Sequence, residues 1–428
     1  MSDSPQFQVD VYQNEYLAAN SRAVNAILTV TAKGAGTVRP VEVPATAVVI
    51  IVDCSSSMNY PRDKIHAAKQ ATVVAIDMLR EGTEFAIIAG TDRARPIYPT
   101  NGSMAVADLH SRAAAKLAMS KLEANGGTAI GSWLLGANRM LATQRGIKQA
   151  ILLTDGRNQH EKPEQLAEAL DACEGRFVCD CRGVGTDWDV DELRGIASAL
   201  LGSVDIVADP SGLAADFQAM TTVAMGKSIA DVALRLWTPQ GATIRFVKQV
   251  APTVVDLTGR RESTGPQTGE YPTGSWGAER RDYHVCVEVK PGQTGDIMLA
   301  ARAGMVTAEG EVLAQGLVKA VWTDDEALST RISAEVAHYS GQAELASAIQ
   351  EGMAARRAGD VTRATSRLGR ALALAKQTGN AETAGLLAKV VEVEDPVTGT
   401  VRLRSKVSTA DAMTLDTRST KTSRVRKG

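Results

Sequence analysis

The feature that most constrains the fold of this 428-residue chain is an alternation. Between Ala47 and about Met225, short β-branched runs take turns with longer amphipathic segments. A mostly parallel sheet requires this pattern, because each crossover between parallel strands needs a helix-length connection, and the helices then cover both faces. AVVIIVD (47–53) is apolar until its last residue, as expected of a central strand buried on both sides. Its polar carboxyl end is where an open α/β sheet places a ligand.

Further strands are expected at 84–89, 148–154, 177–184 and 204–208, with ARPIYP (94–99) as an edge strand that tolerates proline. Helices are expected at 65–79, from about 106, and at 130–141, 163–173, 189–200 and 211–225, the fourth with Pro163 in its first turn. The unit therefore spans 46–226. Period-two patches such as DVALRLW (231–237) and DYHVCVEV (282–289) mark flanks of another kind, 1–45 and 227–323. The first flank is too short for a stable sheet alone, so one β-sandwich built from both flanks, with the α/β unit inserted between them, is the economical reading. Two separate β elements are the alternative.

From 324 to 394 the pattern is alanine-rich helix, with Ile332, Val336, Leu345, Ile349 and Met353 on one face and Leu368, Leu372 and Leu386 later. Ala358-Gly359-Asp360 breaks it into a hairpin. That hairpin resembles a single tetratricopeptide unit, but no second copy follows at a fixed period, so a plain helical bundle is equally compatible. Residues 402–428 carry eight Lys or Arg against two Asp, and the segment 395–428 is expected to be a disordered basic tail.

A formal net charge of −2 gives no whole-molecule argument for nucleic acid. The N-terminus lacks a charged and apolar leader, and no apolar run approaches the ~18 residues that span a bilayer, so a cytoplasmic protein without membrane insertion is expected. Five cysteines are an odd number, and Cys179 and Cys181 are too close in sequence for a good mutual disulfide. With Cys173 they lack zinc-ligand spacing, and buried strand thiols are the expectation.

Asp53-Cys54-Ser55-Ser56-Ser57 ends the first core strand. This D-x-S-x-S, together with Thr128 in NGGTAIG and Asp155 in LLTDG, resembles the metal-ion-dependent adhesion site of von Willebrand factor A domains. The resemblance implies a Rossmann-like domain in which Ser55, Ser57 and Thr128 coordinate a cation through hydroxyl oxygen, while Asp53 and Asp155 bind directly or through water. Mg²⁺ is the implied ion, with Mn²⁺ or Ca²⁺ as substitutes, since hard cations take oxygen ligands and Mg²⁺ retains waters. An open coordination position would accept an Asp or Glu from a protein partner. If the three hydroxyls only capped helices or turns, nothing would explain aspartates at two strand ends.

Other motifs carry less. Gly226-Lys227-Ser228 fails the phosphate-loop pattern because Thr221 stands where its first glycine belongs, and the five histidines, at 66, 110, 160, 284 and 338, are scattered. Trp188 follows a strand end near the metal loops, where it either offers an exposed aromatic to a partner or packs on its own loop. Thr417, Thr420 and Thr422 lie among basic residues, and two readings are open, a phosphoacceptor tail or an unmodified basic end.

Taken whole, the chain resembles bacterial, particularly actinobacterial, cytoplasmic von Willebrand A proteins found beside Ser/Thr kinases and forkhead-associated proteins. This implies a non-enzymatic, cation-dependent adaptor in phosphosignalling, with a forkhead-associated protein and a kinase as partners. An accessory subunit of an AAA-type ATPase or metal-insertion machine is the alternative. An enzyme using the cation as a Lewis acid would need a positioned base, and none is evident in the sequence.

Overall fold

A computed structural model describes residues 6–33, 45–395 and 400–425. The chain divides into two compact units, 42–230 and a second made of 1–41 with 231–428.

In the first unit, five parallel strands run in the order Val204–Val207, Val178–Val184, Ile147–Thr154, Thr46–Asp53 and Glu84–Gly90. Ala94–Tyr98 adds an antiparallel edge, and Ala105–Val106 pairs antiparallel with Glu84–Gly90. All eight residues of Thr46–Asp53 are buried, which explains why this strand reads as an unbroken apolar run. The chain leaves it for a neighbour on one side and later returns to pair on the other, so its carboxyl end is the switch point of the sheet. Register sets Val52 beside Leu153, which brings Asp53 and Thr154 to the same edge.

Helices at Asp63–Met78, Leu109–Ser120, Ile130–Leu141, Pro163–Cys173, Val190–Ala199 and Leu213–Met225 match the six expected. On the first of these, Lys64, Ala68, Ala71, Thr72, Ala75 and Ile76 form the buried stripe at helical spacing. Gly226 closes the last helix and Lys227 opens a strand, the reverse of the strand-loop-helix polarity of a phosphate loop.

The second unit holds the sandwich drawn from both flanks. One sheet orders Gln6–Gln13, Ala23–Lys33, Glu279–Glu288, Thr243–Ala251 and Val255–Asp256. Ala23–Lys33 pairs with Glu279–Glu288 over ten residue pairs, from Ala32 opposite Glu279 to Ala23 opposite Glu288. The other sheet orders Glu262–Gly265, Thr268–Gly277, Lys227–Trp237, Ile297–Val306, Val312–Thr323 and Tyr16–Ala18.

Helices Ala334–Arg357, Val361–Gln377 and Ala381–Val390 follow, the first two joined where Gly359 takes φ +77°. The expectation of a disordered tail is corrected over the described part of 395–428. Thr400–Leu403 pairs with Val391–Asp395, and Thr409–Thr417 is a helix capped by the Ser408 side chain. Residues 396–399 and 426–428 of that tail lie outside the described residues. Val401, Ala412 and Leu415 are buried in one cluster with Leu345, Ile349, Leu368 and Leu387. Basic composition concealed a sparse apolar set that the helices need. Among the described residues no helix is long and apolar enough to cross a membrane.

Candidate metal centre

The turn after the central strand is built from its own polar groups. Ser55 N–H donates to Asp53 Oδ1 (2.7 Å) and the Thr154 hydroxyl donates to Asp53 Oδ2 (2.6 Å), so both oxygens of a fully buried carboxylate are held. Burial pushes the Asp53 carboxyl up to about 6 despite those bonds, and the Asp155 charge adds to the rise. Ser56–Asn59 then forms a 3-10 turn with Ser55 as its N-cap residue. Ser55 Oγ lies 2.9 Å from Ser57 Oγ, and Ser57 Oγ donates to Asp155 Oδ1 (2.7 Å).

Thr128 arrives from another loop, held on two sides. Ser56 N–H donates to Gly126 O (3.0 Å) and Asn125 N–H to Cys54 O (2.7 Å), which joins the two loops through backbone. Gly126 takes φ +135° with Thr91 packed against it, a place that no side chain could share. From the other side, His160 Nδ1 accepts the Thr128 amide, Asn158 Oδ1 accepts that of Ile130, and Glu161 accepts those of Gly131 and Ser132. These three side chains were not singled out from sequence. Their signal was only nearness to Asp155, since the amides they hold belong to a loop about thirty residues earlier.

Gly156 tests whether this set could hold an ion. A methyl group there would stand 3.4 Å from Ser57 Oγ, 3.5 Å from Thr128 Oγ1 and 4.0 Å from Ser55 Oγ. The three hydroxyls therefore face one small space, with the Asp53 and Asp155 carboxylates behind them and Ser57 open to solvent. Hydroxyls backed by two carboxylates suit a hard divalent cation. No cluster of three or more His, Cys, Asp or Glu with metal geometry occurs among the described residues.

Lys64, also not anticipated, completes the surroundings. Its Nζ donates to Asp155 Oδ2 (2.8 Å) and Asp187 Oδ2 (3.1 Å). Burial pulls the ammonium down, but the bonds to the two aspartates outweigh it and hold it above the ordinary lysine value. The sequence did carry a signal, since Lys64 continues the buried stripe of its helix.

Two other expectations are corrected. Trp188 is 2% exposed, its ring lies against Gly183 and its Nε1 donates to Gly185 O (3.1 Å), so it packs on its own loop and offers no aromatic to a partner. An exposed aromatic beside the Asp53–Ser57 turn is Tyr60, 80% exposed, whose N–H donates to Ser57 O (2.9 Å). The threonines form no free tail either. Thr417 is buried, Thr420 O accepts the Val254 amide, and the Thr422 hydroxyl donates to Val250 O (2.7 Å). All five cysteines are buried and free, as expected.

Fold and site together define a class, a doubly wound α/β domain with a hydroxyl and carboxylate cradle at the end of its central strand. The chain belongs to the von Willebrand factor type A family. The family model for the type A domain matches residues 46–206, and that for the type A C-terminal domain matches 373–419, which includes most of the ordered tail. A von Willebrand factor type A protein from Catenulispora acidiphila is 54% identical, covering 99% of this chain and 98% of its own, at TM-score 0.94. The ArnB paralog VWA2 from Sulfolobus acidocaldarius shares the fold at TM-score 0.59, with 14% identity over 97% of this chain and 98% of its own. No curated protein matches the chain.

Proposed function

We propose that this protein is a divalent-cation-dependent protein-binding adaptor, whose metal-ion-dependent adhesion site is formed by Asp53, Ser55, Ser57, Thr128 and Asp155. The observation that carries the reading is the convergence of three hydroxyls on the space above Gly156, with two buried carboxylates behind them. Bound Mg²⁺, Mn²⁺ or Ca²⁺ would supply an acceptor for a partner's Asp or Glu.

The chain's own part is preorganisation. Ser55, Ser57 and Thr128 offer neutral oxygens, so negative charge at the cradle is limited to two aspartates and an incoming carboxylate remains favourable. Held loops keep the hydroxyls in place, which lowers the ordering cost of association. Tyr60 takes the part of aromatic contact at the rim, which Trp188 cannot fill. We read the protein as a binder rather than an enzyme, since neutral hydroxyls around a bound ion would leave it an open position that suits an incoming carboxylate. The adaptor reading does not depend on the phosphosignalling partners, which rested on the family resemblance and on threonines that pack against the fold.

The test is titration calorimetry with Mn²⁺ on wild type and Asp53→Ala, joined to capture of partners from host extract with and without EDTA. Binding in wild type that Asp53→Ala abolishes, with capture lost on chelation, is the expected result. Equal heats in the two proteins would overturn the reading.

A further inference from the structure

Lys64 is a charged side chain, 6% exposed, beside a proposed cation site, which is an unusual place for a positive group. Its ammonium takes the Asp155 oxygen that Ser57 leaves free, so one carboxylate is shared between a resident cation and the hydroxyl cradle. The loop after the Val178–Val184 strand closes over the lysine stem. A methyl group at Gly185 would stand 3.4 Å from Lys64 Cε. Asp187, the second partner, has a side chain 69% exposed, so water screens its charge where it cannot screen that of Asp155.

We infer that Lys64 is a positioning residue that weakens the site's hold on a divalent cation alone and makes that hold depend on an incoming carboxylate. The inference rests on the metal-binding reading above. Two aspartates, each −1, balance a divalent ion of +2 with nothing left over. Lys64 adds +1, and the screened Asp187 offsets it only in part. The incomplete offset leaves a surplus of less than one unit of charge, which a partner's Asp or Glu neutralises. Lys64 also fixes which Asp155 oxygen faces the cradle, so the aspartate is held back from rotating to embrace the ion with both oxygens. Low affinity for metal alone and higher affinity for metal with carboxylate follow from the same side chain.

A purely structural lysine predicts something different. If Lys64 only ties its helix to the end of the sheet, its removal loosens the cradle and weakens every ligand alike.

The experiment compares wild type, Lys64→Met and Lys64→Arg as full chains. Mn²⁺ affinity is measured by calorimetry with and without saturating acetate as the carboxylate probe, and melting temperature is followed with and without Mn²⁺. Lys64→Met is expected to bind Mn²⁺ alone about tenfold more tightly, because it removes a positive charge that repels the ion. Acetate should strengthen Mn²⁺ binding in wild type and much less in Lys64→Met, while Lys64→Arg keeps the wild-type pattern. Lys64→Met should also melt lower without metal and recover with Mn²⁺ by a larger increment than wild type. Weaker or unchanged Mn²⁺ binding in Lys64→Met, with wild type binding normally, overturns the inference and leaves the metal reading intact. No Mn²⁺ binding in wild type overturns both. If Lys64→Met fails to fold, Lys64→Arg decides through its acetate response, since a guanidinium keeps the charge and loss of the coupling there counts against the inference.

Discussion

Two fully buried aspartates, one in each unit, show how a closed polar cluster differs from an open one. In the second unit, Asp282 Oδ1 accepts the Thr29 hydroxyl (2.5 Å) and lies 3.3 Å from Arg280, while its Oδ2 accepts the Tyr339 hydroxyl (2.7 Å) with Arg424 4.0 Å away. Charge and hydrogen bonds close on themselves, and the carboxylate ties helix Ala334–Arg357 and the C-terminal segment to the sandwich. Asp53 in the first unit has both oxygens bonded but no cationic side chain beside it among the described residues, and the hydroxyls beyond it face open space. Burial raises its proton affinity, as it does for any carboxylate without a compensating charge. A closed cluster holds a fold together, and an open one is what the proposed cation site requires.

The sharpest way to break this contrast is to remove each carboxylate in turn. Asp282→Ala removes the acceptor of the buried Thr29 and Tyr339 hydroxyls and the ion pair of Arg280, and is expected to lower stability in urea unfolding by about 3–5 kcal/mol, whether or not metal is present. Asp53→Asn should act in the opposite sense in metal-free buffer. Its folded value of about 6 stands above the unfolded value, so the ionised form is penalised by folding and the stability present below pH 4 is lost as pH rises through 6. The asparagine variant is therefore expected to gain up to about 3 kcal/mol at pH 7 and nothing below pH 4. Equal losses from the two substitutions would dissolve the distinction.

His284 extends the comparison to a neutral buried group. It is 6% exposed in the sandwich, its Nε2 donates to Asn25 Oδ1 (3.0 Å), and burial, helped by the Lys248 charge, lowers it to about 4. With the folded value below the unfolded one, its contribution is intact above pH 6.5 and is lost as pH falls toward 4, by about 3 kcal/mol. His284→Gln should flatten that acid limb of the urea-measured stability. An unchanged limb would move the acid sensitivity elsewhere.

The same contrast explains what could be read from the sequence. The first unit was legible almost strand by strand, because continuous apolar runs and helical stripes are local signals, and five polar positions in fixed order marked the cradle. The two-flank sandwich was legible from period-two patches and the shortness of the first flank. Lys64, His160 and Glu161 escaped because their roles depend on loops distant in sequence meeting at the strand ends. Trp188 was open to two readings because sequence gives nearness to a site but not the side on which a ring packs. The tail was misread because eight cations outweighed Val401, Ala412 and Leu415, yet those three residues are the part that the helical core buries. Charge density describes the exposed face of a segment, and a few apolar positions decide whether it has a buried one.

The finest discrimination comes from Gly156→Ala. The added methyl would meet Ser57 Oγ, Thr128 Oγ1 and Ser55 Oγ at 3.4–4.0 Å, ordinary contact distances, and the backbone there is not in the left-handed region. Stability should therefore change by no more than about 0.5 kcal/mol. The methyl nevertheless enters the space that the three hydroxyls share, where the proposed ion or its water would sit, so Mn²⁺ affinity is expected to fall about tenfold. A capping role for the hydroxyls predicts no loss, because their bonds to Asp155 and to each other are not displaced. Calorimetry on a normally stable Gly156→Ala protein thus asks whether the cradle is a binding space or only a turn, with the fold held constant.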